Sequence, residues 1–308
     1  MSDNAKAVLL SLAAFGIFST HDVVIKLLGG SYTAFQIIFF SGLLGFPLVT
    51  LMLLRDQTKG NLIPVHPWWT ALRTVATMTT GAGAFYAFSV LPLAQTYAIL
   101  FAAPLLITVL AIPVLGERVG LRRGGAVLVG LLGVMVVLQP GSTELSLGHF
   151  AALAAAVGVS LSSIIVRKIG RDERSVVLIL YPMVANFIVM GSLMPFVYVP
   201  MQAQDLGMMF IVAVLALLAM NCVIASYRLG SAVIVAPMQY SQILWATGYG
   251  ILFFDENPDW STALGAGIII ASGIYIVLRE DSGASASTPV LRTRSRFATP
   301  TAPRVSSL

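Results

Sequence analysis

Uncharged apolar runs of roughly 15 to 25 residues follow one another along nearly the whole chain. An α-helix rises about 1.5 Å per residue, so about 20 such residues cross a hydrocarbon core about 30 Å thick. Membrane β-barrel strands would read instead as short alternating segments. Only 10% of the 308 residues are charged and 57% are hydrophobic, whereas a soluble domain carries about 25% charged residues. The pattern predicts an all-α membrane protein.

Ten membrane spans are predicted, over residues 5–28, 32–54, 68–90, 93–115, 121–138, 147–166, 176–199, 206–227, 231–254 and 261–278. Trp68, Trp69 and Trp260 mark span ends, because Trp favours the membrane interface. With the N-terminus inside, Lys26 alone of the 18 Lys and Arg falls on the outer side. The outer loops carry Glu144, Asp205, Asp255, Glu256 and Asp259 instead. Such a split predicts both termini in the cytoplasm, and one missed span would scramble it. The basic balance therefore reports orientation in a bilayer and gives no sign of nucleic-acid binding. No cleavable signal peptide is expected, and the single cysteine, Cys222, excludes an intramolecular disulfide.

The chain also repeats itself. Ala94 aligns with Ser231, Glu117 with Glu256, Gly125 with Gly265, Gly133 with Gly273 and Leu138 with Leu278, the offset drifting only from 137 to 140. Ala13 to Gly16 echo Ala155 to Gly158, and Lys26 echoes Lys168, both at an offset of 142. Five spans per repeat return the chain to the opposite side, so the second repeat enters inverted. The expected organisation is two inverted five-helix repeats, residues 1–140 and 141–280, followed by a disordered cytoplasmic tail, 281–308, rich in Ser, Thr, Ala, Pro and Arg.

With these features the chain resembles the drug/metabolite transporter superfamily, in its ten-helix EamA-type branch. The resemblance covers roughly residues 5 to 280. Its matching residues are Ala14-Phe15-Gly16 with Lys26, Arg73 followed by Gly81 to Ala87, and Leu91-Pro92-Leu93-Ala94 through Pro104 to Gly116-Glu117-Arg118. The sequence departs from the family pattern in having Phe15 where a Trp is frequent. It also has Asp255-Glu256-Asn257 in place of a second Gly-Glu-Arg, and Pro237 displaced from the Pro104 equivalent. The resemblance implies a secondary transporter of a small organic metabolite, and the stretch from Arg73 to Pro104 looks most like importers of S-adenosylmethionine or riboflavin. Export of amino acids or other metabolites stands as an alternative, and an intramembrane lipid-modifying enzyme as one of another class.

Candidate substrate-binding residues are those that are costly in a bilayer. His21 and Asp22 lie in the outer part of span one; Asp22 and Lys26 are four apart and form a local ion pair on one reading, a substrate or proton site on the other. Arg73 reads as a snorkelling side chain or an anion contact. Tyr86, Gln95, Tyr97, Phe101, Gln239, Tyr240, Gln242 and Trp245 are either interhelical glue or the anchors of a mostly apolar pocket. Pro104 and Pro237 are candidate hinges or static kinks. Glu117 and Glu256 sit at span ends, where a cap or loop salt bridge is expected. Gly81, Gly83, Gly265 and Gly267 are expected to let helices approach closely.

No catalytic residues, cofactor or metal are read: there is no Walker loop for ATP, and His21, His66 and His149 make no metal spacing. The expected partners are a small-molecule substrate and the lipid bilayer of a bacterial-type inner membrane.

Overall fold

The computed structural model describes residues 3–54, 62–116, 120–139, 145–170, 172–229 and 235–287. Every regular element among them is a helix. In order these are α1 (Asp3–Gly29), α2 (Ala34–Leu54), α3 (Pro67–Val90), α4 (Leu93–Leu100), α5 (Ala103–Leu115) and α6 (Leu121–Leu138). Then follow α7 (Leu147–Ile169), α8 (Ser175–Val197), α9 (Ala203–Leu229), a 3-10 helix (Ala236–Tyr240), α10 (Ser241–Phe254) and α11 (Trp260–Ser287). Glu117, Arg118, Glu144, Ser231 and residues 288–308 lie outside the described residues.

Five helices are long and apolar enough to cross a membrane by length and composition: Ala5–Gly29, Leu93–Leu115, Leu147–Ile169, Val177–Val197 and Ala203–Tyr227. Shorter apolar helices include Ala34–Pro47, Gly124–Leu138 and Trp260–Ile276. Large apolar side chains such as Leu128 and Leu132 on α6, Ile188 on α8 and Leu252 on α10 stand exposed. A soluble surface would not tolerate so much apolar exposure, and acyl chains would cover it.

Two of the predicted spans are discontinuous. Span four breaks after α4, one turn before Pro104. That proline lacks an N–H, and its ring conflicts with the carbonyl four residues back, which belongs to Leu100. Ser160 of α7 donates to the Ala103 carbonyl at 3.1 Å, so backbone loosened at the break keeps a partner. In span nine a 3-10 helix that contains Pro237 interrupts the α-helical backbone, and α10 starts at Ser241. The α3–α4 junction follows the same logic: Pro92 biases Leu91 to extended backbone (φ −108°, ψ 159°), which ends α3.

Helix α1 packs along α9, α3 along α7, and α6 along α11; α4 faces α10 and α2 faces α8. Glycine permits the closest of these approaches. A Cβ on Gly83 would lie 2.5 Å from the Ala151 carbonyl oxygen, and one on Gly265 would lie 2.6 Å from that of Gly133. Gly81 and Gly267 have nothing within 4 Å, so only one glycine of each expected pair serves packing. The main core, including Ile25, Ile37, Leu93, Ile99, Met209 and Ile269, gathers where α1, α2, α4, α9 and α11 converge.

Candidate functional site

Asp22 is the centre of a buried polar cluster. Two turns of α1 past Ala14-Phe15-Gly16, its carboxylate reaches away from Lys26. One oxygen meets His21 Nδ1 at 2.7 Å. The other accepts a hydrogen bond from the Tyr97 hydroxyl on α4. Gln242 of α10 donates its Nε2 to the same hydroxyl at 3.4 Å, at the outer limit of a hydrogen bond. His21 and Asp22 are 9% and 8% exposed, and Tyr97 is 4% exposed. A carboxylate this deep in low dielectric must be neutralised or hydrogen-bonded, and here its partners come from α1 and α4, with α10 one hydrogen bond further out.

Aromatic rings wall the cluster. The His21 ring stands edge-on to Phe18 and Phe85, with centroids 6.5 and 6.1 Å away. Tyr97 lies between Phe88 (5.2 Å) and Phe101 (5.8 Å). Phe101 then meets Tyr240 edge to face at 5.1 Å. Phe101 caps the end of α4 and Tyr240 ends the 3-10 helix, so both helix breaks face each other beside Asp22. The Tyr240 hydroxyl is buried and meets no hydrogen-bond partner among the described residues. An aromatic box around a carboxylate can hold a planar or cationic group, the rings through their faces and the carboxylate through charge.

The remaining candidates divide. Gln95, two residues before Tyr97, has its terminal amide 3.2 Å from His149 Nε2. His149 Nδ1 accepts from the Ser146 N–H at 3.1 Å in a capping box at the start of α7. Gln239 is half-buried on the 3-10 helix. Trp245 is 42% exposed and stacks on Tyr249 at 6.2 Å; the Tyr249 hydroxyl lies 3.0 Å from Thr20 Oγ1 of α1. Pro104 and Pro237 open α5 and the 3-10 helix, respectively.

Arg73 and Tyr86 stand apart from the cluster. Arg73 Nη1 donates to the Leu178 carbonyl of α8. Tyr86 is 37% exposed and makes no contact with Asp22 among the hydrogen bonds and ring pairs of the described residues.

The local Asp22–Lys26 ion pair does not form. Lys26 Nζ pairs instead with Glu256 Oε1 at 2.7 Å, and Glu256 Oε2 accepts the Leu93 N–H at 2.9 Å. Glu256 thus caps the start of α4 and pairs with a lysine of α1, where a cap or a salt bridge within its own loop is the expectation. The clue was present in the charge sort, because Lys26 was the one outer cation in a field of outer carboxylates. The contribution of Phe18, Phe85 and Phe88 to the walls carried no comparable signal.

A family model for EamA-like transporters matches this chain twice, over residues 5–139 and 146–279. A relative named S-adenosylmethionine uptake transporter, from Rickettsia prowazekii, is 24% identical over 90% of this chain and 93% of its own length. A pseudopaline exporter of Pseudomonas aeruginosa is 25% identical, over 87% of this chain and 95% of its own. A riboflavin transporter of Rhizobium johnstonii is 25% identical, over 70% and 72%. One crystal structure, 16% identical, superposes with a TM-score of 0.57 over 87% of this chain and 95% of that one, a likeness of fold alone.

Proposed function

The chain belongs to the EamA-like transporter family, and from that premise we propose a secondary transporter that works by alternating access around the Asp22 cluster. Ten spans form two inverted five-helix halves, residues 1–140 and 141–280, in a bacterial inner membrane with both termini cytoplasmic. The packing supports this reading. Inversion exchanges α1 with α7 and α3 with α9, so the α1–α9 contact becomes α7–α3, and both contacts are present. Two clasps between halves fit the same exchange. Tyr32 donates to Asp205 at 2.6 Å between the α1–α2 connection and the first turn of α9, next to the α8–α9 connection. His66 lies 3.5 Å from Asp172 between the α2–α3 and α7–α8 connections.

The observation that carries the functional reading is the buried Asp22 carboxylate among aromatic rings, between α1 of one half and α10 of the other. Inverted repeats place a shared site between their two halves, and the broken helices α4–α5 and 3-10–α10 supply the irregular backbone such sites use. His21, Asp22, Tyr97, Phe101, Tyr240 and Gln242 contact substrate; Gln95, Gln239 and Trp245 line the approach. Arg73 and Tyr86 act in packing.

A positively charged metabolite satisfies Asp22 and the rings together, which makes S-adenosylmethionine the first substrate to test, in the import direction. The name of the Rickettsia relative supports that choice. Riboflavin is the second, since a planar ring system suits the same walls. Export of an amino-acid-like metabolite is the competing reading, and the exporter relative favours it. Uptake and efflux of radiolabelled S-adenosylmethionine, riboflavin and amino acids in vesicles test all three. Saturable movement of one compound identifies the substrate and its direction. Absence of saturable movement across the panel would remove these substrates.

A further inference from the structure

Glu256 is held in place by features from three parts of the sequence. Asp255 adopts left-handed backbone (φ 52°), a conformation that favours glycine, at the end of α10. That turn sends Glu256 back over its own helix, with its N–H donating to the Gly250 carbonyl at 3.0 Å. Gly250 leaves room for the carboxylate, because a Cβ there would lie 2.8 Å from Glu256 Oε2. The carboxylate then divides its two oxygens between Lys26 of α1 and the Leu93 N–H at the start of α4. Lys26 also donates to the Leu91 carbonyl and sits 5.2 Å from the centre of the Phe254 ring.

A helix cap would need only the Leu93 contact. The second oxygen goes to a lysine whose side chain is 13% exposed, while that of Glu256 is 16% exposed. The pair fastens the end of α10 to α1 and to the α3–α4 turn. It borders a small cavity lined by Pro92, Gln95, Thr247, Gly250, Asn257 and Thr262. Gln95 belongs to α4, so the cavity adjoins the helix that carries Tyr97.

We propose that Lys26 and Glu256 are the outer gate: their ion pair closes the outer entrance in the conformation described, and the pair separates when that entrance opens. This rests on the alternating-access reading. A half-buried ion pair suits the role, because breaking it leaves two charges that only water can satisfy, so the pair is stable in the closed form and released in a wet, open one. The two residues belong to opposite halves, and movement of one half against the other must break or keep the contact as a whole.

The test uses the full chain in right-side-out vesicles, with Cys222→Ser removing the native thiol and Thr247→Cys reporting from the cavity. A membrane-impermeant maleimide is added outside and the labelling rate measured. Lys26→Met and Glu256→Gln are each expected to speed labelling about tenfold by shifting the population towards the open form. The exchanged pair Lys26→Glu with Glu256→Lys is expected to return the rate towards that of the parent. A mere cap predicts otherwise. Lys26→Met keeps the Leu93 contact and would then label like the parent, while the exchanged pair, which loses that contact, would label like Glu256→Gln. Either result overturns the gate. If the Glu256 variants lose their monodisperse size-exclusion peak, Lys26→Met alone decides. Unchanged labelling alongside measured uptake removes the gate and leaves the transporter. Faster labelling without uptake of any panel compound leaves the gate and removes the proposed substrates.

Discussion

Phe101 and Tyr240 meet edge to face, ring centroids 5.1 Å apart and planes at 71°, each at the point where its own span stops being a continuous α-helix. They are 139 residues apart, the same offset that relates Glu117 to Glu256. The two helix breaks thus touch each other beside Asp22. Both rings are buried, at 7% and 5% exposure. Phe101→Ala is expected to lower stability by about 3 kcal/mol through the cavity it leaves. Thermal unfolding of the purified protein in detergent checks this; an unchanged midpoint would mean that the rings do not support each other.

The glycines give a sharper packing test. Gly83→Ala drives a methyl group against the backbone of Ala151, which no side-chain rotation can relieve. Gly158→Ala does the same against Ala76 O, at 2.7 Å. Each is expected to cost about 1–3 kcal/mol. Gly81→Ala, two residues away with open space around it, is expected to be neutral or slightly stabilising through helix propensity. Melting of the three variants side by side separates them, and equal destabilisation would refute the α3–α7 crossing described.

Gln36 predicts a purely structural effect. Its side chain is fully buried and both donates to and accepts from the backbone of Val199, at 2.7 and 2.9 Å. Gln36→Leu leaves that N–H and carbonyl unpaired, at a cost of about 2 kcal/mol. Stability should fall while the KM for substrate holds; a raised KM at unchanged stability would place Gln36 on the substrate route.

Arg73 separates binding from support in the same manner. Its guanidinium serves the Leu178 carbonyl, away from Asp22. Arg73→Gln is expected to reduce the amount of folded protein and to leave the KM of the remainder within about twofold, a difference worth under 1 kcal/mol. A large KM change in well-folded protein would return Arg73 to the binding site.

The helical character of the chain was readable because the hydrocarbon core imposes a length on every apolar run. The partners of the costly residues were not. Periodicity reports neighbours three and four residues apart, and Asp22–Lys26 is such a pair. Asp22 instead bonds Tyr97, 75 residues on, and Lys26 bonds Glu256 in the other half. Such choices depend on how helices cross, which one-dimensional spacing does not encode. Pro104 and Pro237 did announce that spans four and nine were special. That the breaks meet through Phe101 and Tyr240 followed only from the fold. Gly81 and Gly83 were indistinguishable in the sequence because a small residue looks alike whether it faces a neighbouring helix or the bilayer.

The most direct test of the account is the effect of Asp22→Asn on transport. The substitution keeps the size of the side chain and removes its charge. Initial uptake rates of the substrate that the vesicle panel identifies, measured across a range of pH for parent and variant at matched folded protein, should fall at least about tenfold in the variant. Uptake by the variant equal to that of the parent at every pH would contradict the account and leave Asp22 as a structural partner of His21 and Tyr97.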